Sequence, residues 1–136
     1  MLKHIPKIIP PELLKILCEM GHGDEIVIAD GNFPAASMGQ RVVYLSGHGG
    51  CEVLKSVLEL FPLDTYQKPV YLMEKTPGDE TPTPIWNEYN EIIKHHTDED
   101  FEYIERFEFY ERTKKAYAVI ATGESALYAN VLLKKA

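Results

Sequence analysis

The stretch Met20-Gly21-His22-Gly23-Asp24-Glu25-Ile26-Val27-Ile28-Ala29-Asp30 decides the fold. A histidine between two glycines opens it, a β-branched apolar run fills it, and an aspartate closes it. Ile and Val are stiff at χ1 and pack well on a pleated surface, so Glu25 to Ala29 reads as a buried strand. Immediately before it, Pro11 to Met20 carries Leu13, Leu14, Leu17 and Cys18 on one helical face and Glu12, Lys15 and Glu19 on the other. Pro10-Pro11 suits the start of that helix, where a missing N–H costs nothing. Gly21 is expected to stop it. Asp30 to Pro34 is a loop by its turn chemistry.

The alternation of helix and strand continues outward. Arg41 to Ser46 reads as a strand, broken by Gly47-His48-Gly49-Gly50. A helix follows, with Val53, Leu54, Val57, Leu58 and Phe61 at helical spacing. Pro69 to Glu74 is a strand, and Thr76 to Pro84 a surface loop rich in proline, glycine and acid. Thr83 is expected to cap the next helix with Pro84 at its first position; Ile85, Trp86, Tyr89, Ile92 and Ile93 supply its apolar face. Phe101 to Arg106 reads as a strand and Phe109 to Ala116 as a helix. Tyr117 to Thr122 is apolar throughout, as in a strand covered on both faces. A Gly123-Glu124-Ser125 turn leads towards a last strand, Asn130 to Lys134. The expected class is α/β: one domain over residues 1–136, with a central mixed β-sheet flanked by helices.

Composition removes several classes. At 136 residues and 45% hydrophobic, the chain can build a core without disulfides or a structural metal. A net charge of -7 argues against a nucleic-acid partner. No apolar run approaches the roughly 20 residues of a membrane helix, and none near the start reads as a secretory signal. Cys18 and Cys51 both fall in amphipathic helices; a single disulfide between them is conceivable, but reduced core or near-core thiols are the expected reading, which points to the cytoplasm.

Candidate chemistry is local and modest. His22 stands uncrowded between glycines, and imidazole is the side chain best suited to exchange a proton near neutrality; a histidine at a helix C-terminus is the plainer alternative. Asp30 ends a strand, where α/β folds place their ligands; equally, it can bond its own turn. Gly47 to Gly50 could present a helix N-terminus to a phosphate, but fits neither the dinucleotide nor the Walker pattern, so a plain turn is expected. His95-His96 with Asp98, Glu99 and Asp100 could suggest a metal site, but adjacent histidines on a helix point about 100° apart, so a solvated helix end is the expected reading. Arg106 precedes the run Phe107-Glu108-Phe109-Tyr110, which reads as core and interface. Tyr128-Ala129-Asn130 combines a phenol, a backbone group and an amide that together could read a polyol.

Taken in order, these blocks resemble a known family. Glu19 to Asp30, then Asn32-Phe33-Pro34-Ala35, Pro62-Leu63-Asp64-Thr65-Tyr66, Ile104 to Arg112, Thr122-Gly123-Glu124, Tyr128-Ala129-Asn130 and Leu132 to Lys135 are similar to the corresponding blocks of the fucose mutarotase and ribose pyranase family. The resemblance implies a ribose-pyranase-like fold and exchange of the anomers of a free monosaccharide, L-fucose in particular. It implies no cofactor and no metal. It makes His22 the proton donor and assigns sugar binding to Asp30, Arg106, Tyr128, Ala129 and Asn130. It also implies a ring-like homo-oligomer, such as a decamer, with its sites at subunit contacts. Many relatives carry glycine where this chain has Ala129; if the backbone there had positive φ, alanine would be strained. A second proton carrier is not specified; water and Asp30 are both open. The alternatives are pyranose–furanose exchange on ribose, or a sugar-binding transport accessory without catalysis.

One spacing has a consequence of its own. His22 and Asp30 lie eight residues apart with a strand between them, an extended span of about 26 Å. One monosaccharide cannot touch both ends. Either the flanking turns fold back, or the two residues serve one site from different subunits.

Overall fold

The computed structural model describes residues Met1–Ala136. Its elements run α1 (Pro11–Glu19), β1 (Glu25–Ala29), α2 (Ala35–Met38), β2 (Val42–Leu45), α3 (Gly50–Leu58), β3 (Val70–Met73), α4 (Pro84–Ile93), β4 (Glu102–Ile104), α5 (Arg106–Lys115), β5 (Ala118–Thr122) and β6 (Val131–Lys134). The strands form one sheet in the order β2-β5-β1-β6-β3-β4. β6 alone runs antiparallel to its neighbours β1 and β3; the other pairings are parallel. The expected α/β class and mixed sheet are therefore present.

Strand periodicity sorts the core into two layers. Ile26, Ile28, Ile120, Leu72, Val131 and Leu133 point to one face, against Leu13, Val53, Leu54 and Tyr89 from α1, α3 and α4. Val27, Ala29, Val119, Tyr71 and Leu132 point to the other, against Phe109 of α5 and Ala35 of α2. Both faces of β1 and β5 are covered, which is why their sequences are apolar without alternation. No helix is long and apolar enough to cross a membrane.

Four local expectations need correction. Gly21 does not terminate α1: Met20 turns extended, and the Lys135 ammonium takes the carbonyls of Leu17 and Met20. The left-handed residue of the following turn is Gly23, at φ 80°. Thr83 stands at the N-cap of α4 but its side chain makes no capping bond. Arg106 is not at a strand end; α5 begins there, because the Glu105 carboxylate accepts from the N–H groups of Phe107 at 3.0 Å and Glu108 at 3.1 Å. Cys18 is exposed rather than near the core, while Cys51 is half-buried and its thiol is pushed up to about 11 by desolvation. The short helix α2 has no periodicity long enough to be read in advance.

Candidate sugar site

The strand directions decide where side chains can meet. β1, β3 and β4 all end at one edge of the sheet, and β6, running the other way, begins there. Asp30 follows β1, Asn130 precedes β6, Met73 ends β3, and Arg106 opens α5 just beyond β4. Together with Asn32, Phe33, Thr76, Asp79, Tyr110, Leu127 and Tyr128 they line one cavity of about 240 Å³. This is the carboxyl edge of the parallel strands, where open α/β sheets bind ligands.

Asp30 and Asn130 form its floor. The Asp30 N–H donates to Asn130 Oδ1 at 2.8 Å, and Asn130 Nδ2 donates back to Asp30 Oδ2 at 3.0 Å. Asp30 Oδ1 accepts from the Asn32 N–H at 3.0 Å, so the aspartate also bonds its own turn. Both residues are buried. Burial raises the Asp30 carboxyl above its usual range, and the hydrogen bonds from Asn32 and Asn130 offset this only in part. Both residues line the cavity, where they offer a carboxylate, which accepts, and an amide, which can accept and donate.

The wall is aromatic. Phe33 packs edge-on against Phe109 and Tyr110, with ring centroids 6.0 and 5.6 Å apart. Arg106 Nε donates to the Tyr110 hydroxyl at 3.0 Å, and its guanidinium lies over the Phe107 and Tyr110 rings. Arg106 is otherwise exposed, with donors free for a hydroxyl oxygen. The run Phe107 to Tyr110 thus divides: Phe109 is core, Tyr110 is pocket, and Phe107 is 65% exposed.

Ala129 behaves differently from its neighbours. It is buried, and its carbonyl accepts from the Tyr89 hydroxyl at 3.0 Å. It is absent from the cavity lining. Positive φ falls on Tyr128, at 57°, and not on Ala129. Alanine in place of glycine is therefore unstrained here.

His22 is elsewhere. It lies before β1, at the opposite edge of the sheet, and is exposed. It lines a separate hollow of about 590 Å³ with Gly23, Asp64, Tyr66, Gln67 and residues 134–136. The turn does not fold back: the Gly23 N–H is tied to the Lys135 carbonyl at 2.9 Å, beyond the end of β6. Asp64 is a buried carboxylate in this hollow, accepting from the Tyr66 N–H at 3.0 Å.

The glycine-rich turn before α3 holds its own anion. Glu124 Oε2 accepts from the Gly50 N–H at 3.0 Å, and Glu124 Oε1 from the Ala126 N–H at 3.0 Å. A plain turn is the outcome, as expected, with the helix N-terminus already satisfied. No group of histidine, cysteine and carboxylate side chains is arranged to hold a metal ion.

Sequence reasoning missed Asp79, Thr76 and Leu127, and read Tyr110 only as packing. Asp79 sits in a stretch whose composition marks a loop and nothing more. Which loop folds over which strand end depends on sheet order, which local periodicity does not carry.

The fold and the cavity define a class: a small α/β protein with a polar, aromatic-walled cavity at the carboxyl edge of its sheet. A model of the RbsD / FucU transport protein family matches residues 3–136, and the chain belongs to that family. It is 48% identical to the fucose mutarotase of Danio rerio and 49% identical to that of Homo sapiens, in each case over 98% of this chain and 92% of the relative. FucU from Bifidobacterium longum superposes with a TM-score of 0.95 at 60% identity, over 98% of this chain and 97% of that one. The fucose mutarotase of Streptococcus pneumoniae, solved in complex with L-fucose, gives 0.92 at 50% identity over the same shares. Bacillus subtilis RbsD, solved with D-ribose, is more distant, at 0.73 and 27% over 99% of this chain and 97% of that one.

Proposed function

We propose that this chain is an isomerase that interconverts the α and β anomers of L-fucose at a site shared between two copies of itself. The observation that carries the shared site is the placement of His22 and Asp30 in different hollows at opposite ends of β1. The carboxyl-edge cavity has the binding groups, and the other edge has the titratable imidazole. A neighbour that docks its His22 edge onto the Asp30 cavity joins them. The assembly is a closed ring of such contacts, a decamer, working in the cytoplasm. The two free cysteines are in keeping with a reducing compartment. Greater likeness to fucose mutarotases than to RbsD favours fucose over ribose as the sugar.

The reaction needs two proton transfers. The ring oxygen gains a proton as the anomeric hydroxyl loses one, and the open-chain aldehyde rotates before the ring recloses. The neighbour's imidazole, from residue 22, protonates the ring oxygen and takes that proton back on closure, while water or Asp30 accepts the anomeric hydroxyl proton and returns it. Asp30 and Asn130 bind adjacent hydroxyls, and Arg106 and Tyr128 hold the far side. Ala129, its carbonyl held by Tyr89, acts by fixing its neighbours Tyr128 and Asn130 in place. Positioned acid–base groups are worth about 10²–10⁴-fold. His22→Ala should therefore slow α–β exchange of L-fucose by about that factor, with an unchanged melting temperature. Near-normal exchange by saturation-transfer NMR removes His22 from the mechanism.

A further inference from the structure

Tyr128 is held from three directions. Its backbone is left-handed at φ 57°, a conformation that a bulky L-residue rarely adopts. The Trp86 indole N–H donates to its carbonyl at 2.7 Å. Its hydroxyl accepts from the Thr76 N–H at 3.3 Å and donates to Asp79 Oδ2. Asp79 in turn is fixed by the Thr81 N–H at 2.9 Å and the Thr81 hydroxyl at 2.6 Å, both on Oδ1. Tyr128, Asp79 and Thr76 all line the carboxyl-edge cavity.

A phenol has one proton and two lone pairs. Here the proton goes to Asp79 and one lone pair takes the Thr76 N–H. A single lone pair is left for a ligand. A free tyrosine hydroxyl can rotate to donate or accept; this one can only accept.

We propose that Asp79 is a positioning residue of the sugar site: by taking the Tyr128 proton it fixes the phenol oxygen as an obligatory acceptor for one sugar hydroxyl. Its role rests on the fucose reading of the cavity. Asp79 never touches the sugar's reacting atoms; it acts through Tyr128. A hydroxyl that donates to Tyr128 cannot point elsewhere, so the sugar's rotation in the pocket is restricted. The hydrogen bonds from Thr81 and Tyr128 hold the Asp79 carboxyl down to about 2. It is ionised, and so an acceptor only, across the whole range in which such an enzyme works. Lys75, whose charge also favours the ionised form, is the cation of the same loop.

A double-mutant cycle tests this. Asp79→Ser keeps a short oxygen for the turn to Thr81 but does not reach Tyr128. It should lower kcat/KM for L-fucose exchange by about tenfold, as expected when a charged hydrogen bond is lost. Tyr128→Phe should cost at least as much. The double variant should equal Tyr128→Phe alone, because Asp79 has nothing left to act through. Asp79→Asn, which keeps an acceptor oxygen, should restore part of the loss and carries the test if the serine variant fails to fold. Losses that multiply in the double variant, or Asp79 variants with wild-type kcat/KM, overturn the assignment. A wild-type chain that does not exchange fucose anomers overturns the parent reading instead. In that case the cycle is read in L-fucose affinity by calorimetry, where multiplying losses again overturn the role of Asp79.

Discussion

Asp30 and Asp79 share one cavity and titrate in opposite senses. Burial raises Asp30 above the ordinary 3.8, while hydrogen bonds lower Asp79 from 3.8 to about 2. A raised carboxyl penalises the folded state when ionised. That penalty is absent at pH values below the ordinary 3.8, and sets in as pH rises through the raised value. Asp79 works the other way: its contribution is present above 3.8 and is lost only as pH falls from there to about 2. Acidification from neutrality therefore protonates Asp30 first, removing the proposed acceptor for the sugar while Tyr128 stays anchored. In the His22→Ala variant, which silences the imidazole, L-fucose affinity should weaken as pH drops towards the carboxylate range. Weakening should begin at a higher pH than an ordinary aspartate would give. Calorimetric titration at a series of pH values measures this, and a flat affinity profile contradicts it.

At the scale of elements, the site depends on helix α4 reaching back to the strand edge. Tyr89 is fully buried and its hydroxyl donates to the Ala129 carbonyl, next to Asn130. A Cβ at Gly50 would lie 2.0 Å from that hydroxyl, so only glycine allows α3 and α4 to approach this closely. Tyr89→Phe leaves a buried carbonyl unpaired and should cost about 1–3 kcal/mol. Gly50→Ala should cost a similar amount by overpacking, about 1–3 kcal/mol. Urea unfolding measures both, and both variants should also weaken fucose binding because Asn130 moves with Ala129. Wild-type stability in Gly50→Ala would show that α3 and α4 are not locked here. Much of this level was legible beforehand. Six strands and four helices were read close to their places, because Ile, Val and Leu recur at periods of two and 3.6. Boundaries failed where a distant group did the capping. Lys135 ends α1 from 115 residues away in sequence at Met20, and the Glu105 cap starts α5 at Arg106, three residues before Phe109, where the helix was expected. Asp30, Tyr128 and Asn130 were legible as chemistry. Asp79 was not, because its importance comes from one hydrogen bond to a residue 49 positions on.

At the scale of the molecule, one chain places its His22 imidazole and its Asp30 cavity at opposite edges of the sheet. The spacing from His22 to Asp30 left two readings open: turns that fold back, or two subunits. The turn at Gly23 is pinned to Lys135 and does not fold back. A shared site has a consequence that no single-chain site has: two different inactive chains can repair each other. His22→Ala lacks the proposed acid, and Asn130→Ala lacks the floor of the proposed sugar pocket. In a mixed assembly some contacts pair an intact His22 edge with an intact Asp30 cavity, and at equal mixing about a quarter of contacts do so by chance. The direct measurement is saturation transfer between the α and β anomers of L-fucose, recorded on each variant alone and on the two dissociated and reassembled together. The account predicts little exchange from either alone and a return to about a quarter of wild-type activity in the mixture. A mixture no more active than the sum of its parts, with hybrid assemblies confirmed by native mass spectrometry, would contradict it.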